Sequence, residues 1–91
     1  MKHEIDDTDI KILKEVAPFN DTYTSDDDIH RRIEPPIGLD ELHDRLDSLK
    51  SDYGFVEIIK SAGAEGRPSW KIQSNPRGRQ YLRDRDAKQA K

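Results

Sequence analysis

The stretch from Ile37 to Gly54 constrains the fold of this 91-residue chain more than any other segment. Leucines at positions 39, 42, 46 and 49 are spaced by three or four residues, so they share one face of an α-helix. Gly54 is expected to end that helix, because glycine is common just past a helix C-terminus. A β-branched and aromatic segment follows, which predicts a helix over about 38–52 and then a strand over 55–60.

The face of this helix opposite the leucines is polar and mostly acidic. We expect eight side chains to point away from the core: Asp40, Glu41, His43, Asp44, Arg45, Asp47, Ser48 and Lys50. Four of the eight are carboxylates, so this face is expected to repel anions unless neighbouring cations neutralise it.

Length and composition predict one small domain over 1–91, ordered over about 6–83 and frayed at both ends. With 38% charged against 32% hydrophobic residues, the chain is polar for a folded domain, which favours disordered ends. The chain has no cysteine, which excludes disulfides and thiolate metal sites. No apolar run has the length of a membrane span, so we expect a soluble, cytoplasmic protein without a membrane partner.

The net charge of −3 conceals two halves of opposite sign. Residues 1–59 carry seven Lys/Arg against sixteen Asp/Glu, whereas residues 60–91 carry nine against three. Such a division is typical of a chain with one surface for an anionic partner, although acidic residues that only solubilise the first half explain it equally well.

Two more helices are expected before the leucine-rich one. The first covers about 6–17 and stops at Pro18, because proline cannot continue a helix. The second covers about 25–33, with Ser25 as its N-cap and Pro35-Pro36 after its end.

After the leucine-rich helix the sequence predicts a β-hairpin. Its strands are 55–60 and 69–73, and the loop over 61–68 contains two glycines and a proline. Trp70 and Ile72 alternate with polar residues, which is the period of a half-buried strand. Trp70 is then either part of the core or a ligand contact at the base of the hairpin. A further short strand is expected at Tyr23-Thr24.

A short helix is expected to close the fold. Asn75 is its N-cap and Pro76 occupies its first turn, while Tyr81 and Leu82 are its apolar anchors. The tail from Arg83 onward has no apolar stripe, so we expect it to fray.

The sequence contains no pattern that predicts catalysis, a cofactor or a metal site. His3, His30 and His43 lack the spacing of a zinc-binding helix. The triplet Asp26-Asp27-Asp28 follows Ser25 as a helix cap would, and it lacks the ligand spacing of a calcium loop. The glycine-rich loop lacks the Lys-Ser/Thr ending of a phosphate-binding loop. We therefore expect a protein that is not an enzyme.

Several local motifs, in this order, resemble a winged helix-turn-helix domain. Asp9-Ile10-Lys11-Ile12-Leu13 is similar to the opening of the first helix in MarR-like regulators, and Gly54-Phe55-Val56 to the entry to the wing. Trp70-Lys71-Ile72 followed by the segment from Pro76 to Leu82 is similar to the ending of such domains. Two departures are Ser74-Asn75 before the proline and one extra residue between Leu49 and Gly54.

The resemblance, which extends to small archaeal or viral regulators, implies an α+β fold. The expected architecture has three helices, a two-stranded β-hairpin wing and a short C-terminal helix. It also implies a DNA-binding transcriptional regulator whose third helix enters the major groove of double-stranded DNA while the wing contacts the backbone. The expected DNA contacts are Lys60, Arg67 and Lys71 in the wing, Arg77 and Arg79 in the last helix, Arg31 and Arg32 in the second helix, and His43, Arg45, Ser48 and Lys50 in the third.

Several of these cations have another explanation. Arg67 is the foremost candidate, at the expected hairpin tip, but it can also be a solvated loop charge. Arg31 and Arg32 can pair with Asp27 and Asp28 four residues earlier. Arg45 can contact guanine or pair with Glu41, also four residues earlier.

The acidic third helix supports a second hypothesis. Carboxylates accept a hydrogen bond from cytosine, but several together are repelled by phosphates. A winged helix can instead serve as a protein-interaction module, in which the acidic helix meets a basic protein partner. Family habit also implies a homodimer on a two-fold DNA site. Its expected surfaces are Ile10 and Ile12 on the first helix and Tyr81 and Leu82 on the last, unless these residues belong to the core.

Overall fold

Four α-helices and a three-stranded antiparallel sheet form the fold. The computed structural model describes residues 4–34, 36–62 and 68–89. In chain order the elements are α1 (Asp7–Val16), β1 (Thr24–Ser25), α2 (Asp26–Arg32), α3 (Leu39–Ser48), a π-helical turn (Leu49–Tyr53), β2 (Val56–Ala62), β3 (Pro68–Ser74) and α4 (Pro76–Gln89). This arrangement confirms the predicted α+β winged-helix architecture.

A capping box begins α1. The Asp6 carboxylate accepts a hydrogen bond from the Asp9 backbone N–H, and the Asp9 carboxylate accepts one from the Asp6 backbone N–H. These two bonds satisfy amide groups that have no partner within the helix. Ile12, Leu13 and Val16 are buried on the face turned to the interior.

The helix-turn-helix consists of α2, a turn and α3. Ser25 Oγ accepts from the Asp28 backbone N–H, so Ser25 is the N-cap as predicted. His30, on α2, lies 2.7 Å from the Ile37 carbonyl through Nε2 and ties the helix to the turn that follows it. Gly38 is the N-cap of α3. Leu42 and Leu46 of α3 and Leu49 at the start of the following turn are buried in the core.

The sheet has the order β1–β3–β2. The wing hairpin pairs Ile58 with Ile72 and Lys60 with Trp70, and β1 pairs Thr24 with Ile72 on the other side of β3. The sequence predicted a two-stranded wing and a separate short strand one residue earlier than β1. The two join because the Ser74 backbone N–H donates to the Phe19 carbonyl (2.8 Å), which holds the loop after α1 beside β3.

The π-helical turn absorbs the extra residue between Leu49 and Gly54. Gly54 has φ 68° and ψ 32°, the left-handed conformation in which glycine is favoured at a helix end. Its N–H donates to the Lys50 carbonyl and the Phe55 N–H to the Leu49 carbonyl. Each of these two hydrogen bonds spans one residue more than its counterpart in a Schellman motif. The extra residue therefore lies within the turn, after the last buried leucine, Leu49.

The last helix is longer than the sequence predicted. It runs for 14 residues and includes residues 83–89 of the segment that was expected to fray. Gln80 donates to Asp84 (2.8 Å), Arg83 donates to Gln80 (2.8 Å), and Arg85 lies 3.9 Å from Asp7 on α1. These polar contacts support a segment that has no apolar stripe.

Gly78 permits α4 to lie against the backbone of Phe55, the residue before β2. A Cβ atom at this position would be 2.3 Å from the Phe55 carbonyl oxygen, so a larger residue would push the helix away. The buried Leu82 then joins the core.

Most of the predicted dimer surface is core. Ile10, Ile12 and Leu82 are all buried within one hydrophobic cluster, and Tyr81 is partly buried against it. The first three therefore do not form an exposed interface. Of the two alternatives that the sequence left open for them, dimer surface or core, the structure shows the core.

Candidate nucleic-acid interface

The two flanks of α3 are occupied by contacts within the chain. One step along an α-helix turns a side chain by about 100°. Residues directly after the buried Leu42 and directly before the buried Leu46 therefore lie beside the core-facing stripe and not opposite it. These residues are His43 and Arg45, which the sequence analysis placed on the outward face.

His43 joins α3 to α2 and to the wing. Its Nε2 lies 2.7 Å from Asp26 Oδ2, and its ring stacks on Trp70 at 4.0 Å between centroids with an angle of 14°. The Asp26 side chain is 4% exposed and that of His43 is 20% exposed. The predicted exposed position of His43 is thus wrong, and Trp70 is confirmed as part of the core, 8% exposed.

Arg45 joins α3 to the beginning of α1. Its guanidinium donates to Glu41 (2.9 Å), Asp6 (2.8 Å) and Asp9 (3.1 Å). Burial disfavours the charged guanidinium, but the bonds to Asp6, Glu41 and Asp9 outweigh it and raise the pKa of Arg45. The pair with Glu41 confirms one of the two alternatives, and the side chain is 17% exposed.

Asp47 contributes the contact between α3 and the wing. Lys60 Nζ lies 2.9 Å from Asp47 Oδ1 and 4.3 Å from the centre of the Trp70 ring. Both side chains remain about half exposed, at 50% and 46%. Lys60 therefore places a positive charge in the angle between α3 and the wing.

The side chains on the outward surface of α3 are those of Asp40, Glu41 and Asp44, and all three are exposed. Ser48 is half-buried, and together with Glu41, Asp44 and Arg45 it lines an open depression of about 190 Å³. Lys50 is exposed at the start of the π-helical turn. The described residues thus present an acidic outward surface on α3, with Lys50 at its C-terminal end.

The two faces of the wing differ. Lys60 and Trp70 pair on the face turned to α3, whereas Lys71 pairs with Ile59 on the outer face, where both are exposed. Ile59 is 47% exposed. Arg67 lies outside the described residues, so its role stays a prediction.

The cations of α4 contact the protein itself. The Arg77 backbone N–H donates to Asn75 Oδ1 (2.8 Å), which confirms Asn75 as the cap. The Arg77 side chain lies along Gly54, where a Cβ atom would be 3.3 Å from its Nη1. Arg79 donates to Ser74 Oγ and is half-buried.

The cations of α2 lie on an exposed face. Arg31 pairs with Asp28 three residues earlier, one residue closer than the predicted i,i+4 partner. This bond holds the pKa of Asp28 below its usual range. Arg32 is exposed.

Two clusters were missed by sequence reasoning: Asp26–His43–Trp70 and Arg45 with Asp6 and Asp9. A small polar residue or an acid at the start of a helix looks like an ordinary cap from sequence alone. Little in the sequence indicated that the acids Asp9 and Asp26 are buried. Asp9 is next to Ile10 on the apolar face of α1, and Asp26 is the first residue of α2 after the N-cap Ser25.

The part of the chain that the structure describes contains no group of three or more His, Asp or Glu residues arranged to hold a metal ion. Over the same ranges, no helix combines the length and the apolarity needed to cross a membrane.

Comparison with known proteins supports the fold. No protein-family model matches this sequence, and no curated protein matches it. Among solved structures, Bacillus subtilis PadR in complex with operator DNA matches with a TM-score of 0.66 and 17% identity, over 84% of this chain. The chain spans 44% of the PadR chain, so it corresponds to less than half of that protein. At this identity the likeness establishes the winged-helix fold.

Proposed function

We propose that this chain binds double-stranded DNA as a winged-helix regulator of transcription, with backbone contacts from basic residues outside the acidic face of α3. The observation that supports this most strongly is the arrangement of α2, α3 and the wing, which is shared with PadR, a protein solved in complex with operator DNA. Basic side chains beside such an arrangement neutralise phosphates and give a salt-dependent affinity.

The wing carries the best-placed cations. Lys60 lies between α3 and the wing, and its ion pair with Asp47 is exposed enough to exchange for a phosphate. Lys71 is exposed on the outer face of the same hairpin. Arg67, predicted in the loop between the strands, would extend this set. Arg32 and Arg31 on α2 are the further backbone contacts.

The acidic surface determines how deeply α3 can enter the groove. Asp40 and Asp44 are exposed, and each close approach to a phosphate would cost on the order of 1 kcal/mol or more at intermediate dielectric. One such carboxylate can accept a hydrogen bond from cytosine N4. The charge of Arg45 does not neutralise the remaining carboxylates, because its guanidinium already donates to Glu41, Asp6 and Asp9. We infer that α3 lies shallowly over the groove and that phosphate contacts dominate the affinity.

The finer assignments belong to the same proposal. The MarR-like and archaeal or viral character comes from the motif resemblance. A cytoplasmic location and a homodimer on a two-fold DNA site follow from the role of a DNA-binding regulator.

The test is titration of a random-sequence duplex at about 50 and 200 mM salt. We expect the affinity to fall steeply with salt. Lys71→Ala should lower the slope of log affinity against log salt by about 0.9, the value for one phosphate contact. The matched control is Lys14→Ala, because Lys14 is exposed on α1, outside the wing and the helix-turn-helix. Absence of binding at low salt would overturn the proposal, and equal effects of the two variants would remove Lys71 from the interface.

A second candidate is a protein-interaction module that binds a basic partner through α3. The observation that favours it is the commitment of Arg45 to Asp6, Asp9 and Glu41, which leaves exposed carboxylates on the outward surface. Under this hypothesis a Lys/Arg-rich peptide binds wild-type protein, and Asp40→Asn with Asp44→Asn abolishes that binding. A peptide that binds the double variant equally well would exclude α3 as its site.

A further inference from the structure

His43 lies where α2, α3 and the wing hairpin meet. Its Nε2 is 2.7 Å from Asp26 Oδ2 on α2, and its ring stacks on Trp70 of β3 with 4.0 Å between centroids. Asp26 and Trp70 are both buried. The three side chains come from three different elements, and His43 is the one that contacts both of the others.

The Asp26 carboxylate is held on two sides. Its Oδ1 accepts a hydrogen bond from the Asp27 backbone N–H (3.0 Å), while Oδ2 faces the His43 ring. With both oxygens engaged, the carboxylate has little freedom to turn. A buried carboxylate is costly unless it accepts hydrogen bonds, so Asp26 requires the donor that His43 supplies.

The wing makes two contacts with α3 through neighbouring side chains. Trp70 of β3 stacks on His43, and it pairs in register with Lys60 of β2. Lys60 Nζ lies 4.3 Å from the centre of the Trp70 ring and 2.9 Å from Asp47 Oδ1 on α3. The ion pair is about half exposed, and such pairs contribute little to stability. Of the two contacts, the buried stack is therefore the one that fixes the wing beside α3.

The second ring nitrogen of His43 is open to solvent. In the part of the chain that the structure describes, Nδ1 has no hydrogen-bond partner. Over the same residues, every fully buried side-chain nitrogen or oxygen has a partner, so Nδ1 is not fully buried. His43 can therefore gain a proton at Nδ1 while Nε2–H continues to donate to Asp26.

A proton on His43 would strengthen both of its contacts. The hydrogen bond to Asp26 becomes an ion pair between two charged groups in a site largely shielded from water. The stack on Trp70 gains the attraction between a cation and the face of an aromatic ring. Both effects hold the wing more firmly to α2 and α3.

The charges beside the ring are mainly acidic. Four charged side chains of the described residues lie beside it, by contact or one helical turn away on α3: Asp26, Lys60, Asp40 and Asp47. Three of them attract an imidazolium and one repels it. The repelling ammonium, that of Lys60, is already paired with Asp47. The other lysine of the hairpin strands, Lys71, lies on the outer face of the wing.

We propose that His43 is a positioning residue for the wing, which holds Trp70 against α3 more firmly when the imidazole is protonated. For its effect on DNA the inference rests on the proposed function. A wing held in place keeps Lys60 and Lys71 ready for phosphates, so less ordering is needed on binding and the affinity is higher. DNA binding is then tighter at the acidic end of the range in which histidine changes charge, about pH 5 to 8.

The contact itself is tested without DNA by the fluorescence of Trp70, the only tryptophan of the chain. A protonated imidazole quenches the emission of an indole that it contacts, so we expect the emission to fall between about pH 8 and about pH 5. His43→Gln removes the titrating ring and should abolish this change. His30→Gln is the matched control and should keep it, because His30 contacts the Ile37 carbonyl. Circular dichroism establishes that each variant is folded.

The effect on DNA is measured with a random-sequence duplex at about pH 6 and about pH 8, at one salt concentration. We expect the wild type to bind about fivefold more tightly at the lower pH, a usual size for coupling between two sites. His43→Gln should bind equally at both. Asp26→Asn keeps the histidine but removes its charged partner, so its affinity should change by less than about twofold.

The outcomes separate this proposal from the proposed function. Emission that does not change with pH in the wild type, or that changes equally in His43→Gln, would overturn the positioning role. A full pH effect on DNA binding in Asp26→Asn would also overturn it, because the histidine charge would then act on the DNA directly. A change in emission confined to proteins that contain His43, without DNA binding at any pH, would support the positioning role and overturn the proposed function.

Discussion

Arg45 neutralises carboxylates at the point where the N-terminus of α1 approaches α3. Asp9 is fully buried, Asp6 caps α1, and Glu41 is one turn before Arg45 on α3. A single guanidinium donates to all three, through two of its nitrogens. Lysine cannot reproduce this because its charge is a point and arginine's donors are a planar fork. Arg45 thus has the structural role that was one of its two predicted alternatives, and its contacts extend beyond the predicted pair with Glu41 to Asp6 and Asp9.

Replacing Arg45 should destabilise the fold. Arg45→Met removes the donors from a set that includes a buried carboxylate, and we expect a loss of about 2 kcal/mol in the free energy of unfolding. Arg45→Lys should lose about half of that, because the charge is kept. Urea denaturation measures both, with Arg83→Met on the exposed face of α4 as the control, expected within about 0.5 kcal/mol of wild type. An Arg45→Met variant as stable as wild type would mean that the three bonds contribute nothing.

Asp6 is expected to make the free energy of unfolding depend on pH in the acidic range. Partial burial opposes its ionisation, but the Asp9 backbone N–H and Arg45 outweigh this and hold the pKa of Asp6 below its usual 3.8. A carboxylate with a lowered pKa in the folded state stabilises above the unfolded-state pKa, and that contribution is lost as the pH falls through the folded-state value. Asn caps helices as well as Asp but carries no charge.

We therefore expect Asp6→Asn to lose less stability than wild type between about pH 5 and pH 2. The measurement is the urea midpoint at each pH, and Asp21→Asn in the exposed loop before β1 is the control. Equal losses in Asp6→Asn and wild type would show that the Asp6 charge does not contribute.

At the scale of elements, the π-helical turn shows how an extra residue can be absorbed without disturbing the core. The leucine stripe ends at Leu49, where the turn begins, and Gly54 closes the helix in the left-handed conformation. The insertion is therefore confined to a segment that carries no core residue after Leu49. The π-helical turn also positions the Tyr53 ring to stack on that of Phe55.

Deletion of Asp52 should let the segment close as a regular α-helical end. We expect its free energy of unfolding to stay within about 1 kcal/mol of wild type. Deletion of Asp44 is the matched control, because it turns Leu46 and Leu49 by about 100° relative to Leu42 and should prevent folding. If both deletions unfold the protein, the turn is a required part of the fold and not an absorbed insertion.

Sequence reasoning located the elements because their signals are local. Ser25, Pro18 and Gly54 mark helix ends through their own backbone chemistry, and the leucine spacing defines a buried face whatever packs on it. The flanks of α3 could not be predicted in the same way. Whether His43 faces solvent or Trp70 depends on how the wing folds back, which no residue near His43 encodes.

The length of α4 was underestimated for a similar reason. Its second half lacks an apolar stripe, and its contacts are polar bonds within the helix and an ion pair to α1. Such contacts depend on the position of a distant element. The elements that carry the candidate cations agree with the structure, whereas the sequence did not show which of these cations are engaged within the fold.

At the scale of the whole molecule, side chains of the acidic and basic halves of the chain pair with each other at the surface. Lys60 pairs with Asp47 and Arg85 with Asp7, so cations of the second half neutralise carboxylates of the first. The charge difference between the halves is thus partly used for structure. The surface that remains combines a basic wing with an acidic outward face on α3, and this combination is the basis on which we propose phosphate-dominated DNA binding.

The most direct test of that claim is the affinity of one random-sequence duplex for the wild type and for Asp44→Asn at low salt. Asp44 is exposed on the outward face of α3, so removing its charge relieves repulsion from phosphates without altering the core. We predict that the wild type binds and that Asp44→Asn binds about fivefold more tightly, which corresponds to roughly 1 kcal/mol. Weaker binding by Asp44→Asn would mean that this carboxylate contacts a base, and no binding by either protein would contradict DNA recognition by this fold.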